Sequence, residues 1–334
     1  MASGQTPVDE QPTSQRLAQE GKRLATGVIR ARETGLIVAI LALCVLLAFL
    51  TPNFLTEGNI FVLSRQISLL AIVAVGMSFV ILTGGIDLSV GSVTALVSVV
   101  VGYVTVSMGL PFIVGILAGA ATGFVVGLTN GLLTVKTGVH SFVITLGMLG
   151  IARGIALGTT GGSTTSGFSS GFLVIGQGSL LGIPIPVIIL IVLAVAAHIV
   201  LSRTTLGRHI YFVGSNEEAA KLSGIKVQRL KVLVFVVAST LAAISGVVLT
   251  SRLATALPSV GVGLELSAIG AVIIGGASLF GGVGTILGAV LGATLLGLVE
   301  NGLVLLGVST FWQQAVTGAI IILAVAFNTY SQRQ

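Results

Sequence analysis

The stretch "ILTGGIDLSVGS", Ile81 to Ser92, decides how this chain is read. It separates two long apolar runs with a glycine pair, Gly84 and Gly85, and a lone carboxylate, Asp87. The glycines break a helix. Asp87 stands where its side chain can cap the next helix through the amides near Ser89 and Val90, and the positive end of that helix favours its charge. A charge at the bilayer centre costs from ~2.5 to over 10 kcal/mol, so Asp87 must face protein or a water-filled cavity. It marks a discontinuous helix, or it is a hydroxyl ligand or a gate, and one residue can serve both roles.

The flanking runs set the class. The 334 residues are 54% hydrophobic and 8% charged, with a mean hydropathy of +1.12. Soluble domains are about one-quarter charged. A span needs about 20 mostly apolar residues, and such runs follow one another from Gly35 to Asn328. The reading is an all-α polytopic membrane helix bundle of about ten spans, some of them broken or re-entrant. The expected spans are Gly35 to Leu50, Phe61 to Leu82, Leu88 to Ser107, Phe112 to Val135, Val139 to Leu157, Ile183 to Leu201, Lys231 to Arg252, Leu264 to Leu279, Thr285 to Val299 and Phe311 to Asn328. The eighth and ninth are short, glycine-rich and joined by "FGGVG", so one re-entrant element is an alternative there. The 46 glycines point to helices packed at close range.

This count places both termini and the charged loop 202–230 on one face. Every Lys and Arg except Arg65, Arg153 and Arg252 falls on that face, which the positive-inside rule makes cytoplasmic. Residues 1–34 form a cytoplasmic tail and 35–334 the transmembrane domain. The net charge of +6 reports topology and contact with anionic membrane lipid rather than nucleic-acid binding. On the opposite face the longest loop, Gly158 to Pro184, reads as flexible and polar, either a linker or a docking surface.

Within the charged loop, "YFVGSNEEAAKLSGIKV" reads as a short helix outside the membrane. Ser215 and Glu218 have capping-box spacing, Glu217 and Glu218 suit the positive end of the dipole, Lys221 suits the other end, and Gly224 is a stop. Such a helix has about two turns and is unstable alone, so Ala219, Ala220 and Leu222 need a surface to pack on. That surface is the chain's own bundle, lipid headgroups, or a groove in another subunit.

This loop motif, with "GGIDLSVGS", "GLTNGLLTVKTGVHSFVITLGMLGIARGIAL" and "SRLATALPSVGVGLELSAIGAVIIGGASLFGGVGTILGA", resembles the permease subunits of ribose-type monosaccharide importers of the ATP-binding-cassette class. The resemblance implies a homodimeric or heterodimeric pore in the bacterial inner membrane, a cytoplasmic ATP-binding subunit that holds ATP and Mg, and an extracytoplasmic sugar-binding protein. It also implies that Asn216 to Gly224, preceded by Gly214 and Ser215, is the coupling helix seated on the ATPase. This sequence departs from the family with "VGSNEEAA" and with His140 and Ser141 in "KTGVHSFVITLG".

No G-x-x-x-x-G-K-[ST] phosphate loop occurs, so energy must come from a partner. "GGIDLSVG" at Gly84 is echoed by "GGASLFGG" at Gly275, which adds Ser278 to the helix-break candidates. Asn130, Glu265 and Asn301 are the remaining pathway candidates, with helix capping or interhelical bonding as the competing role. His140 and His209 lie at helix ends where a histidine meets carbonyls, and no metal-ligand spacing is present. The competing function is an ion-coupled secondary transporter with Asp87 and Glu265 as ion carriers. Paired carboxylates and nucleophile sets are absent from the sequence, which argues against an enzyme.

Overall fold

A computed structural model describes residues 33–332. The expected tail thus lies outside the described residues, apart from Glu33 and Thr34. The helices are α1 (Glu33–Leu50), α2 (Glu57–Leu82), α3 (Val90–Gly102, continued by a π-helical turn to Ser107), α4 (Phe112–Thr137), α5 (Ser141–Thr160), α6 (Ser170–Gln177), α7 (Ile185–Arg203), α8 (Thr205–Ser215), α9 (Glu217–Leu222), α10 (Val227–Leu253), α11 (Leu264–Ile274), α12 (Ile286–Leu305) and α13 (Thr310–Gln332). Among the described residues, eight helices are long and apolar enough to cross a membrane. The protein is an all-α membrane bundle.

Three helices form the centre. The second half of α2, nearly all of α3 and most of α10 are buried, whereas α1, α5 and α7 keep long apolar faces on the surface. A helix apolar all round suits burial in such a bundle. The α4–α10 contact depends on glycine. A Cβ on Gly127 would lie 2.5 Å from the Phe235 carbonyl oxygen, and one on Gly131 would lie 2.7 Å from the Val232 Cα. Small residues let the two backbones touch, where dispersion replaces the hydrophobic drive that lipid cannot supply.

The alternative for the eighth span is the one the structure adopts in part. α11 has 11 residues, about 16 Å at 1.5 Å per residue, which is half a crossing. Irregular chain at 254–263 precedes it and folds back along α3. There Leu257 N–H donates to Ser98 Oγ at 3.2 Å, and Gly261 meets the Gly91 backbone. A second irregular stretch, 275–285, follows α11 and leads into α12.

Two loops are more ordered than the sequence reading had them. The stretch 158–184 contains α6 and two short strand pairs, β1 (Thr165–Ser166) with β4 (Thr255–Ala256), and β2 (Ser179–Leu180) with β3 (Ile183–Pro184). Phe172 is fully buried and stacks on Phe168 with ring centroids 4.7 Å apart. Ser251 Oγ on α10 donates to the Phe172 carbonyl at 2.7 Å and accepts from Gly176 N–H at 2.7 Å. The glycines and serines that read as flexibility let α6 lie directly on α10. In the charged loop, α8 was not anticipated. Its Thr204 cap accepts from Gly207 N–H, and Ile210 and Val213 are buried one turn apart.

The glycine contacts predict two opposite outcomes. Gly127→Val should lower the thermal midpoint of the detergent-solubilised protein, with overpacking costing about 1–3 kcal/mol or more. Gly147→Ala, where a Cβ meets nothing within 4 Å, should leave it unchanged. Fluorescence-detected melting of both variants checks this.

Candidate functional site

The site is where two helix breaks meet. α2 ends in a Schellman motif, with Gly84 at φ +75°, Gly84 N–H donating to the Ile81 carbonyl at 2.9 Å and Gly85 N–H to the Val80 carbonyl at 3.0 Å. α11 ends the same way at Gly276, φ +92°, with Gly276 N–H on Ile273 at 2.9 Å and Ala277 N–H on Val272 at 3.1 Å. The sequence echo therefore has a structural basis, but the equivalent of Gly84 is Gly276 and not Gly275 as aligned. Left-handed backbone falls on the second glycine of the later pair, and short-string matching cannot see that.

Past the first break, Asp87 Oδ1 accepts from Ser89 N–H at 2.8 Å and Ser89 Oγ at 2.6 Å. Asp87 closes the turn before α3, whose N-cap is Ser89. Asn130 Nδ2 on α4 donates to Ser89 Oγ at 2.9 Å. Asp87, Ser89 and Asn130 are all fully buried, so the protein's own helices enclose this polar chain. Ser141 and Thr145 of α5 meet two amides of the break, accepting from Ile86 N–H and Leu88 N–H at 3.0 Å each. His140 Nδ1 accepts from Phe142 N–H and caps α5, instead of meeting carbonyls as expected, because it stands before a helix and not after one. In the second break Ser278 Oγ accepts from Phe280 N–H at 3.2 Å.

The last turn of α8 joins the two breaks. Gly282 N–H donates to the Leu82 carbonyl at 3.0 Å. Gly214 sits so close that a Cβ there would overlap the Leu82 oxygen, and Tyr211 Oη donates to the Gly284 carbonyl at 2.8 Å. Burial pushes the Tyr211 phenol up, so it remains a donor across the physiological range.

α9 follows with one correction. Its N-cap is Asn216, whose Oδ1 accepts from Ala219 N–H at 2.9 Å. Ser215 cannot cap, because it is the final helical residue of α8 and its hydroxyl donates back to the Tyr211 carbonyl. Glu218 pairs with Lys221 at 2.9 Å in place of the reciprocal capping bond. Gly224, at φ +80°, ends the helix as expected. Ala220 is buried, while Leu222 is 90% exposed. Glu217 bridges Lys221 at 3.2 Å and Lys231 of α10 at 2.6 Å. A cavity of about 430 Å³, lined by Thr83, Gly84, His140, Glu217 and Lys231 among others, separates α9 from the first break. α9 therefore reaches the breaks through α8.

Two remaining candidates lie elsewhere. Asn301 exchanges two amide hydrogen bonds with Asn59 of α2, at 2.8 and 3.1 Å, next to a Gln66–Glu300 bond of 2.9 Å. Glu265 stands at the start of α11, half-exposed, its Oε1 accepting from Gly263 N–H at 3.2 Å. Near it is a residue that sequence reasoning assigned to the outer face. Arg153, inside α5, donates from Nη1 to the Pro258 and Val260 carbonyls at 2.9 and 2.7 Å. A single arginine within an otherwise uncharged twenty-residue span was the available signal.

Residues 59–325 match the family described as "Branched-chain amino acid transport system / permease component". The chain belongs to this permease family. It is 42% identical over 318 residues to the ribose import permease protein RbsC of Bacillus subtilis (strain 168), covering 94% of this chain and 98% of the relative. Against the RbsC of Escherichia coli (strain K12) it is 42% identical over 300 residues, 89% of this chain and 93% of the relative. The L-arabinose ABC transporter permease protein AraH of Azospirillum brasilense is 38% identical over 301 residues, 90% and 88% of the two chains. No solved structure matches.

The α9 clamp has a definite pH sense. Burial raises the Glu217 pKa, but bonds from Lys231 and Lys221 outweigh it and hold the carboxyl below the ordinary glutamate range. A depressed folded pKa gives stability that is complete above the ordinary value, about 4.3, and is lost as pH falls through the folded one. With side chains 26 to 47% exposed, salt screens the clamp. Protection factors for amide exchange across 217–222 should fall at acid pH and in 1 M salt, while those in α3 stay high. Separately, Tyr211→Phe should cost about 1 kcal/mol, and Gly214→Ala more, as read from thermal melting.

Proposed function

We propose that this chain is the membrane-embedded permease of an importer for a monosaccharide or related polyol, driven by ATP that a partner subunit hydrolyses. The observation that carries the reading is the near-full-length 42% identity to proteins named as ribose import permeases, with allose and xylose permeases at 40% and 35%. Membership of a permease family favours this over ion-coupled transport. Of the two residues that an ion-coupled mechanism would use, Asp87 is sealed inside the bundle, while Glu265 is half-buried at the start of α11.

In this reading the chain carries the pathway and no ATPase site. ATP and Mg belong to a cytoplasmic ATP-binding subunit, and an extracytoplasmic binding protein delivers the sugar. The protein sits in the bacterial inner membrane with both termini cytoplasmic, and a second copy of the permease completes the pore. α9 is the coupling helix: Leu222 offers an apolar contact to the ATPase, and the Glu217 clamp ties its motion to α10. Closure of the ATPases on ATP pushes α9, and α8 carries that push to the two breaks, switching the pathway between outward and inward access.

Copurification of the tagged chain from its native membrane tests this. A nucleotide-binding subunit should be recovered with the wild type and lost with Leu222→Arg. Replacement of Glu218 or Gly224 should leave the bundle folded but raise the ATP consumed per sugar moved. Recovery of the chain alone, with uptake intact in vesicles lacking ATP, would establish the ion-coupled reading.

A further inference from the structure

We propose that Arg153 and Glu265 form a donor–acceptor pair that contacts the hydroxyl groups of the transported molecule inside the membrane. The inference rests on the sugar-importer reading and adds the contact itself.

Arg153 is the thirteenth residue of a twenty-residue span, about 18 Å along it, and is half-exposed. Its Nη1 supports two carbonyls of the irregular stretch before α11, and the Nε and Nη2 donors have no partner among the described residues. Lipid cannot satisfy a guanidinium, so these donors must meet water, solute or protein. Glu265 answers from α11. Its Oε1 is used by Gly263 N–H, while Oε2 rests against the Gly91 backbone of α3 and accepts no hydrogen bond among the described residues. The carboxylate is within electrostatic reach of Arg153, yet the two form no ion pair within 4 Å.

An unclosed pair of this kind suits a hydroxyl, which can accept from the guanidinium and donate to the carboxylate at once. Vicinal hydroxyls on a neutral ring multiply the match. Gly147, Gly150, Gly154 and Gly158 keep part of the α5 surface beside Arg153 free of side chains, with nothing within 4 Å of where a Cβ would stand. The structural duty of Arg153, holding the Pro258 and Val260 carbonyls, uses one of its three nitrogens and leaves the others for solute.

The test uses the complete importer in proteoliposomes, with D-ribose, D-allose, D-xylose and L-arabinose as probes and turnover read at saturating sugar-loaded binding protein. Glu265→Gln preserves shape and the Gly263 acceptor, and Arg153→Lys preserves the charge. Each should change the ratio of turnovers among the sugars by about tenfold, the size of one lost charge-assisted hydrogen bond. A fall by the same factor for all transported sugars overturns the proposal in favour of a purely structural role. Loss of the permease dimer in native mass spectrometry overturns it in favour of an intersubunit contact. Uptake by the wild-type permease that persists without ATP and without its partner subunits overturns the importer reading and this contact with it.

Discussion

Hydrocarbon offers no hydrogen bonds, and that scarcity organises the molecule. Each stretch where the chain leaves helical geometry strands amides and carbonyls that only protein can satisfy. The break after α2 is met by Ser141 and Thr145, the stretch before α11 by Ser98 and Arg153, and the break after α11 by Ser278, Tyr211 and the Leu82 carbonyl. Helices that look independent in the sequence are therefore tied together at their weakest points. A break in one is supported by an intact turn of another.

The same requirement links the membrane interior to the exposed face. α8 supports both breaks from outside the span, so the short helix after it is mechanically continuous with the region where the bundle is least regular. Bundles shift between a few discrete packings more readily than they deform continuously. A push arriving at two adjacent helix ends is well placed to select between such packings.

Much of this was legible in the sequence, and the limits have physical causes. Of the ten spans expected, eight correspond to helices long and apolar enough to cross a membrane among the described residues, because lipid demands long apolar runs. The eighth expected span is only the short α11, and Gly84 and Asp87 stood out because glycine pairs and charges are costly there. The end of α9 was readable from Gly224. Its start was not, because a preceding helix, α8, takes Ser215 and leaves Asn216 as the cap, and local spacing does not reveal which residue is already helical. α6 and α11 fell short for a related reason. Glycine-rich sequence is compatible with flexible loops and with backbone-to-backbone packing, and only the partner surface distinguishes them. Arg153 was assigned to a loop face by charge bookkeeping, although its carbonyl partners lie more than a hundred residues away.

The junction of Gly214, Gly282 and Leu82 has a mechanical consequence. Its contacts are made by main chain alone, without side chains that relax by changing rotamer. Linkages padded with leucine or methionine absorb small displacements through torsional play. Here there is no such play, so movement of α8 by a fraction of an ångström is felt at once by two helix ends. Stiffness at this point depends on the absence of side chains, and neighbouring residues have little means of repacking to restore it once a side chain is added.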